Sequence, residues 1–265
     1  MDIRSDFHTH TNISSCGAPD NTLQALLDGL CGNDNGLRVL GVSNHLWDSD
    51  VPGASPWYAP QNVPHVLAIR DELKNADTHG ARVLIGAEVE FTADCRAAIT
   101  KEHAKLFDYL LITANHLHMK DFIIPAAVKE PEDVRFVLIS RFKAAAKVEL
   151  PVKCGICHPF FPISFKETEV EILAGISDEE YGECFELAKE YGKSIEIHSS
   201  ALNAHLPLND QGFCPEYVRM LGIAKEVGCT FHLGSDVHRP VLEPNLRLRD
   251  LTKYLGITED RLTDF

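Results

Sequence analysis

The sequence predicts an α/β fold in which parallel strands form a closed or nearly closed barrel surrounded by helices. Short apolar runs alternate along the chain with helical stretches, which is the order that βα units produce. The runs are rich in β-branched and other apolar residues, as buried parallel strands are. The length, 265 residues, suits one α/β barrel, so a single domain over residues 1–265 is expected.

Seven apolar runs are the predicted strands, and a helical stretch follows each of them. The runs are residues 3–8, 37–43, 82–87, 109–113, 152–157, 194–197 and 229–234. The helical stretches are residues 64–75, 92–107, 131–148, 178–191, 215–227 and 246–255, and one that opens near residue 21 with Asn21 as its N-cap. Residues 47–60 and 160–175 are predicted as loops that cover one end of the barrel.

Composition and charge exclude several classes of protein. The chain is 45% hydrophobic and 24% charged, which is ordinary for a globular domain and excludes disorder, collagen and coiled coil. No apolar run approaches the ~20 residues of a membrane helix, and no signal-peptide pattern opens the chain, so a cytoplasmic protein is expected. Subtracting 39 acidic from 25 basic residues gives −14, which argues against nucleic-acid or membrane partners. A chain this acidic must supply positive charge locally to handle an anion, and metal ions are one way to do so.

Histidine is the unusual residue, with 13 in the chain, and each of the seven runs ends in a potential metal ligand. In order, these are His8 and His10, His45, Glu88 and Glu90, His116 and His118, His158, His198, and Asp236 and His238. A single histidine after a strand is most often a capping or loop residue, but seven at equivalent positions point to one site. Imidazole with carboxylate suits Zn, Mn or Fe, and this many ligands implies more than one ion.

A competing motif occupies residues 154–158, where Cys154, Cys157 and His158 have the C-x-x-C-H spacing of haem attachment. The pair also has the spacing of a thioredoxin-like redox motif. Because this segment reads as a buried strand and no export signal is visible, no haem is expected. We interpret most of the eight cysteines as reduced core residues and expect only His158 to face the site.

In their order along the chain, these residues resemble the motifs of the PHP (polymerase and histidinol phosphatase) superfamily. The matching segments are residues 6–11, 44–45, 86–88, 116, 157–159 and 234–238. The resemblance implies a distorted (β/α)7 barrel with two or three divalent ions, Zn, Mn or Fe, that hydrolyse phosphoesters.

Ligand roles follow from the resemblance position by position. It implies a first metal on His8, His10, Glu88 and Asp236, a second on Glu88, His116 and His158, and a third on His45 and His238. Glu90 and His118 are alternative ligands or partners of the ligands. The chain departs from the family at Cys16, where many members carry His or Asp, and at His198, where many carry Asn. Cys16 is either a thiolate ligand or a loop thiol in a turn.

The function that these residues predict is hydrolysis of a small phosphorylated molecule, histidinol-phosphatase-like or nucleotide-phosphatase-like, by a metal-bound hydroxide. Asp236 and His198 are the predicted catalytic residues, with His198 as a proton donor to the leaving group. Arg239 and His118 are predicted to bind substrate, and Lys166 and Lys120 are weaker candidates.

Two other functions remain open for the same site. One is an amidohydrolase-type hydrolase, and the other is a non-catalytic accessory metal module. An acidic pocket for an ammonium-bearing substrate such as histidinol phosphate would use loop carboxylates, for which the candidates are Asp48, Asp50 and Glu167.

Overall fold

The structure is a computed structural model that describes residues 3–119 and 127–265. Its named strands pair only in parallel. The strand segments are β1 (Ser5–Thr9), β2 (Val39–Val42), β3 (His45–Leu46), β4 (Arg82–Ile85), β5 (Ala87–Glu90), β6 (Leu110–Thr113), β7 (Cys154–Ile156), β8 (Ser194–His198) and β9 (Phe231–Gly234).

The strands close into a ring. They pair in the orders β1-β2-β4 and β3-β5-β6-β7-β8-β9, and only residues 43–44 separate β2 from β3, as Gly86 alone separates β4 from β5. The last strand returns to the first, because Thr9 bridges Val237 in parallel and the Asp236 amide donates to the His8 carbonyl at 2.8 Å. Counting each interrupted strand once gives seven strands in the described part of the chain, as the apolar runs predict.

Helices follow each of the seven strands of the ring in the described part of the chain and cover its outside. They are α1 (Leu23–Cys31), α2 (Val63–Leu67), α3 (Ile69–Leu73), α4 (Lys101–Ala104), α5 (Pro131–Ala146), α6 (Glu169–Gly175), α7 (Asp178–Glu190), α8 (Pro215–Val227) and α9 (Glu243–Tyr254). Each of the longer ones turns an apolar stripe toward the strands, as α8 does with Tyr217, Met220, Leu221 and Ala224. The predicted α/β fold, with parallel strands and outer helices, is confirmed.

The N-cap prediction for α1 was wrong by one residue. Thr22, not Asn21, caps the helix, and its side chain accepts a hydrogen bond from the Ala25 amide. The Asn21 side chain instead donates to the carbonyl of His10 at 2.7 Å. Asn21 therefore ties down the loop after β1, next to one of the predicted ligands.

Three helix or loop predictions also need correction. Residues 64–75 form two short helices, α2 and α3, rather than one. Within residues 92–107 only α4 is helical, because Phe91 bridges Ala97 in an antiparallel turn that occupies the first part of the segment. Residues 169–175, predicted as part of a lid, form α6 and bury Ile172 and Leu173 in the core.

Aromatic side chains fill the barrel interior below the site. The Tyr109 ring packs on Phe7 and Phe265, with ring centroids 5.8 and 4.8 Å away. Its hydroxyl donates to the Phe7 carbonyl. A Cβ at Gly41 or at Gly86 would clash with atoms of this tyrosine, so both positions need glycine.

A buried cation joins the outer helix α5 to the strand ends. The Arg141 guanidinium donates to the carbonyls of Ala114, Thr92 and Phe91 and lies 5.0 Å from the centre of the Phe91 ring. These carbonyls belong to the segments that follow β5 and β6. Arg141 therefore helps to fix the strand ends that carry Glu90 and the following histidines.

Within residues 3–119 and 127–265, no helix has the length and apolar character that crossing a membrane requires.

Candidate metal centre

The predicted ligands meet at one end of the barrel, where the β-strands end at their carboxyl side. The cavity there is lined by Cys16, His45, Trp57, Tyr58, Glu88, His116, His118, His158, Phe161, Ile163, Asp236 and His238. His8 and His10 lie beneath this surface and are fully buried. Because β1 and β9 are neighbours in the ring, the first and last motifs of the chain adjoin each other.

Glu88 is the centre of the cluster, and its two carboxylate oxygens face different histidines. Oε1 lies 2.9 Å from His158 Nε2 and 3.3 Å from His116 Nε2. Oε2 lies 2.6 Å from His45 Nδ1, and 3.4 and 3.6 Å from the Nε2 atoms of His10 and His8. One carboxylate is thus shared between two separate groups of imidazoles, as in a bridge between two ions.

Asp236 is the second carboxylate of the cluster. Its Oδ1 lies 3.0 Å from His10 Nε2 and 3.5 Å from His8 Nε2, and its Oδ2 lies 3.6 Å from His198 Nε2. The backbone of Asp236 is left-handed, with φ of 56°, a conformation that Asp tolerates better than most residues. This local strain turns its side chain inward directly after β9.

Carboxylates hold the outer ring nitrogens of two histidines. The Nδ1 of His8 lies 2.8 Å from Glu196 Oε1, and the Nδ1 of His116 lies 2.7 Å from Glu90 Oε2. Since a carboxylate only accepts, each of these Nδ1 atoms carries a hydrogen atom, and each Nε2 faces Glu88 as the atom that would bind an ion once its own proton is lost. This arrangement is the usual one for an imidazole that binds a metal.

Neutral side chains do the same for two more histidines. The Asn115 amide group donates to the His158 and Phe161 carbonyls, so its oxygen accepts from His158 Nδ1 at 2.6 Å. Ser14 Oγ lies 3.2 Å from His10 Nδ1 and is set to accept, because its own proton goes to Asn44 at 3.0 Å. The Nε2 atoms of His10 and His158 therefore also face the cluster as lone-pair donors.

His198 has the opposite tautomer. Its Nδ1 accepts a hydrogen bond from the Ser200 amide at 3.0 Å, where it caps the 3₁₀ turn Ser199–Leu202. The proton of the neutral ring is consequently on Nε2, which faces Asp236. His198 thus presents an N–H donor to the site and not a ligand lone pair.

The unpaired atoms of the cluster test whether metal ions fit. Within the described residues, His8 Nε2, His10 Nε2, His45 Nδ1 and Glu88 Oε2 are buried and make no hydrogen bond of good geometry. Unpaired buried polar atoms are costly, and a cation between these four would give all of them a partner. Imidazole and carboxylate donors in this number suit borderline divalent ions such as Zn, Mn or Fe.

In the absence of ions, the cluster holds ionised carboxylates beside protonated imidazoles. Burial opposes protonation of His8 and His116, but the charges of Glu196, Asp236 and Glu88 raise the pKa of His8, and contacts with Glu90 and Glu88 raise the pKa of His116 to about 9. Burial opposes ionisation of Glu88, but the charges of His45 and His8 outweigh it and hold its carboxyl pKa well below its usual range. The pKa of Asp236 is likewise held low, against burial, chiefly by His8 and by its hydrogen bond with His10. Burial lowers the pKa of His10 to about 3, so this imidazole is neutral.

Cys16 and His238 lie at the outer side of the cluster. Cys16 Sγ is 3.1 Å from His238 Nε2, and the Nδ1 of His238 donates to the Asp236 carbonyl at 2.9 Å. Burial opposes ionisation of the Cys16 thiol, but hydrogen bonds from His238 and His45 lower its pKa to about 7. The loop therefore brings this thiol to the predicted third site.

Glu90, His118 and Arg239, which were predicted as alternative ligands or substrate contacts, differ in how they lie relative to the cavity. Glu90 does not face the cluster directly, because it accepts from Tyr58, Thr113 and the Phe91 amide as well as from His116. His118 lines the cavity, and burial and the charge of His116 lower its pKa to about 4. Arg239 is exposed and is not among the cavity-lining residues, so its contact with substrate stays a prediction.

The candidate acidic pocket is not formed by the loop carboxylates. Asp48 is fully buried and accepts from His103, from the Thr100 amide and from the Thr100 hydroxyl. Its lone pairs are therefore used within the fold. Asp50, Lys166 and Glu167 are exposed and do not line the cavity, and Lys120 lies outside the described residues.

The cysteine pair of the C-x-x-C-H motif belongs to the core. Cys154 and Cys157 are buried, and their thiols donate to the carbonyls of Val152 and Ile112, each at 3.3 Å. Burial raises the pKa of Cys154 to about 11 and raises that of Cys157 far above its usual range. Reactive and ligating cysteines have low pKa values, so this pair does not fit a redox or haem role.

Several residues of the site were not predicted from the sequence. They are the partners that orient the histidines, namely Ser14, Tyr58, Asn115 and Glu196. Glu196 had a detectable pattern, because alternate residues of a strand share a face and Glu196 stands two positions before His198. Ser14 and Tyr58 lie in loops, where no periodicity points to their direction.

Comparison with known proteins bears on the fold. No protein-family model matches the sequence, and no curated protein is significantly similar to it. Among solved structures, the chain is similar to histidinol phosphate phosphatase (HISK) from Lactococcus lactis subsp. lactis Il1403, complexed with Zn, L-histidinol and phosphate. The TM-score is 0.68 at 15% identity, over 96% of this chain and 94% of that one. At this identity the likeness shows a shared fold.

Proposed function

We propose that this protein is a metal-dependent hydrolase of small phosphoesters, with its centre built around Glu88. The observation that carries the proposal is the position of this carboxylate between two groups of imidazoles whose Nε2 atoms face it. A first ion is held by His8, His10, Glu88 and Asp236, and a second by Glu88, His116 and His158. The solved structure with the same fold binds Zn and phosphate, which supports this assignment.

An anionic substrate would depend on metal ions in this cavity, because the lining side chains include Glu88 and Asp236. Among the described residues that line the cavity, none is Lys or Arg. When bound, divalent ions neutralise the phosphoryl oxygens and lower the pKa of water enough to supply hydroxide near neutral pH. The protein itself contributes the geometry, because Glu196, Glu90 and Asn115 fix the orientations of the ligand rings before any ion binds.

His198 has the properties of a proton donor to the leaving group. Its Nε2 carries the proton, faces Asp236 Oδ2 at 3.6 Å and makes no hydrogen bond within the described chain. An alkoxide leaving group needs such a proton as its bond to phosphorus breaks. Asp236 serves both as a ligand and as the carboxylate that faces this imidazole.

The wall of the cavity limits the leaving group. Trp57, Phe161 and Ile163 supply apolar surface next to the ligands, with His118 on the same side. An organic leaving group with a flat or apolar part packs on such a wall, whereas a second phosphate does not. We therefore propose a phosphomonoester of a small organic alcohol as substrate.

A substrate panel tests the proposal. Purified protein is freed of metal with a chelator, reloaded with Zn or Mn, and assayed on phosphomonoesters, phosphodiesters and amides, with exposed His65→Gln as a control variant. We expect phosphate release only from reloaded protein, loss of it in His158→Ala, and inhibition by inorganic phosphate. Amide hydrolysis without phosphate release would favour the amidohydrolase alternative. Tight metal binding with no turnover on any substrate would favour the accessory module.

A further inference from the structure

A histidine buried inside the barrel has no role in the proposed mechanism. His232 lies on β9, is 1% exposed, and pairs in register with Glu196 on β8. Its Nε2 is 3.6 Å from Glu196 Oε1, and its Nδ1 is 2.9 Å from Ser194 Oγ. Ser194 and Glu196 stand two positions apart on β8, so their side chains point to the same face of the strand. The three polar side chains form a continuous row inside the barrel.

These side chains have the composition of a hydrolytic triad but not its accessibility. A catalytic serine has to reach the substrate. Ser194 is 2% exposed, and neither it nor His232 nor Glu196 is among the residues that line the cavity. Any effect of His232 on the chemistry therefore passes through a neighbouring side chain.

Glu196 connects His232 to the ligand His8. Its Oε1 accepts a hydrogen bond from His8 Nδ1 at 2.8 Å, and its Oε2 accepts one from the His158 amide at 2.5 Å. A fully buried carboxylate needs several such donors to stay ionised. Burial opposes ionisation of Glu196, but the charge of His8 and the contacts with His232 and His8 hold its carboxyl pKa well below its usual range.

The position of the proton on His232 follows from its two neighbours. Its Nε2 is buried, makes no hydrogen bond of good geometry in the described chain, and faces a carboxylate oxygen that only accepts. A lone pair on Nε2 would repel this oxygen, whereas an N–H is attracted to it, so the proton lies on Nε2. Nδ1 then accepts from the Ser194 hydroxyl. Because burial lowers the pKa of His232, the ring is a neutral N–H donor directed at Glu196.

Two glycines leave the space that this pair of side chains occupies. A Cβ at Gly234 on β9 would clash with the Glu196 carboxylate, and a Cβ at Gly155 on β7 would clash with the His232 ring. Glycine at these positions lets the strand backbones approach the two side chains closely. The strands on both sides therefore restrict how Glu196 and His232 can be placed.

We propose that His232 is a positioning residue of the metal centre, which acts through Glu196 to hold the His8 ring in the orientation that binds the first ion. The proposal rests on the metal centre of the proposed function and extends it to a residue that contacts no ligand. Without the His232 N–H, His8 would be the one remaining donor to Glu196 Oε1 within the described residues, so the carboxylate and the His8 ring would both be less firmly held. Loss of a partner that orients a ligand costs about 10–100-fold, and the lower end applies to a residue one step further away.

Nuclear magnetic resonance of zinc-loaded wild-type protein tests the direction of the hydrogen bond without any assay of hydrolysis. Long-range proton–nitrogen spectra of protein with isotope-labelled histidine show which ring nitrogens carry a proton. The signals that vanish in His232→Gln belong to His232. We expect a proton on its Nε2 and none on its Nδ1. An Nε2 without a proton would overturn the proposal.

Two variants of His232 separate its N–H from its packing. His232→Leu removes the N–H and keeps much of the bulk, whereas His232→Gln can place an amide N–H near the position of Nε2. We expect zinc affinity for one equivalent to fall about tenfold in His232→Leu and to stay near the wild-type level in His232→Gln and in the exposed control His65→Gln. Equal losses in both His232 variants, or no loss in His232→Leu, would overturn the proposal. If His232→Leu does not fold, the spectra of the wild-type protein still decide.

A double-mutant cycle shows whether the effect passes through Glu196. Glu196→Gln removes the carboxylate that His232 contacts, so adding His232→Leu to it should cause little further loss of zinc affinity. Additive losses would mean that His232 acts by packing alone and would overturn the proposal. If the affinities behave as expected but no phosphoester is hydrolysed, the proposed function fails and the positioning role stands. If hydrolysis occurs and His232→Leu binds zinc like the wild type, the reverse holds.

Discussion

Replacing Glu88 should be far more damaging than replacing Glu90, although both are buried and lie two residues apart on β5. Glu88 faces His158 and His116 with one oxygen and His45, His10 and His8 with the other. Glu88→Gln removes the negative charge from both groups at once. Glu90→Gln affects one ligand only, because Glu90 orients the His116 ring.

The structure gives the size of each effect. A contact to a charged group is worth about 1.5–3 kcal/mol, so losing one on each side of Glu88 costs about 3–6 kcal/mol. That corresponds to a loss of roughly 10²–10⁴-fold in metal affinity or turnover. Removing an orienting partner of a ligand typically costs about 10–100-fold, which is the expectation for Glu90→Gln.

The assay measures the metal content per chain after dialysis and the release of phosphate from a phosphomonoester that the wild-type protein hydrolyses. Thermal unfolding of both variants checks that each remains folded. Glu88→Gln should lose bound metal at both sites of the pair, and Glu90→Gln should retain most of it. Equal losses, or a greater loss in Glu90→Gln, would refute the bridging role of Glu88.

Three further predictions concern the core and its charges. The double variant Cys154→Ser, Cys157→Ser should keep most hydrolytic activity and lose some stability, while His158→Ala should remove most of the activity. An equal loss of activity in both would favour the haem or redox interpretation of the cysteine pair. Arg141→Met should lower the free energy of unfolding in urea by about 2–5 kcal/mol, because buried carbonyls lose their donor; an unchanged transition would contradict this. His103→Gln should lower the stability of the protein at about pH 5.5 but have little effect at about pH 9. The hydrogen bond with Asp48 raises the pKa of His103. Burial opposes ionisation of Asp48, but hydrogen bonds from the Asp50 and Thr100 amides and from His103 lower its pKa. The pair therefore contributes fully between the unfolded pKa values of about 4 and 6.5 and loses its effect as pH rises through the raised pKa of His103. Urea unfolding at about pH 5.5 and pH 9 checks this, and a loss independent of pH would contradict it.

Much of the fold could be predicted because buried parallel strands leave a strong pattern. All seven apolar runs contain strands, and each run ends beside residues that reach the site. The interruptions of two strands, at residues 43–44 and at Gly86, could not be predicted. They depend on long-range contacts, such as the Tyr109 ring that crowds Gly41 and Gly86.

The sequence does not show which ring nitrogens of the site donate a hydrogen bond and which accept one. His8 and His198 look alike as histidines at strand ends, yet the Nδ1 of His8 donates a hydrogen bond and the Nδ1 of His198 accepts one. The difference comes from their partners, Glu196 and the Ser200 amide, which only the folded chain brings into place. A loop likewise decides the position of Cys16, and the turn chemistry of residues 16–19 alone predicts a loop thiol as readily as a ligand.

The central claim is that a pair of ions bridged by Glu88 performs the hydrolysis, and a metal titration tests it most directly. Phosphate release is measured as zinc is added stepwise to metal-free wild-type protein and to Glu88→Gln. We expect no turnover before the second equivalent is bound in the wild type, and a turnover lower by roughly 10²-fold or more in Glu88→Gln at the same zinc loading. Full turnover without metal, or after a single equivalent, would contradict it.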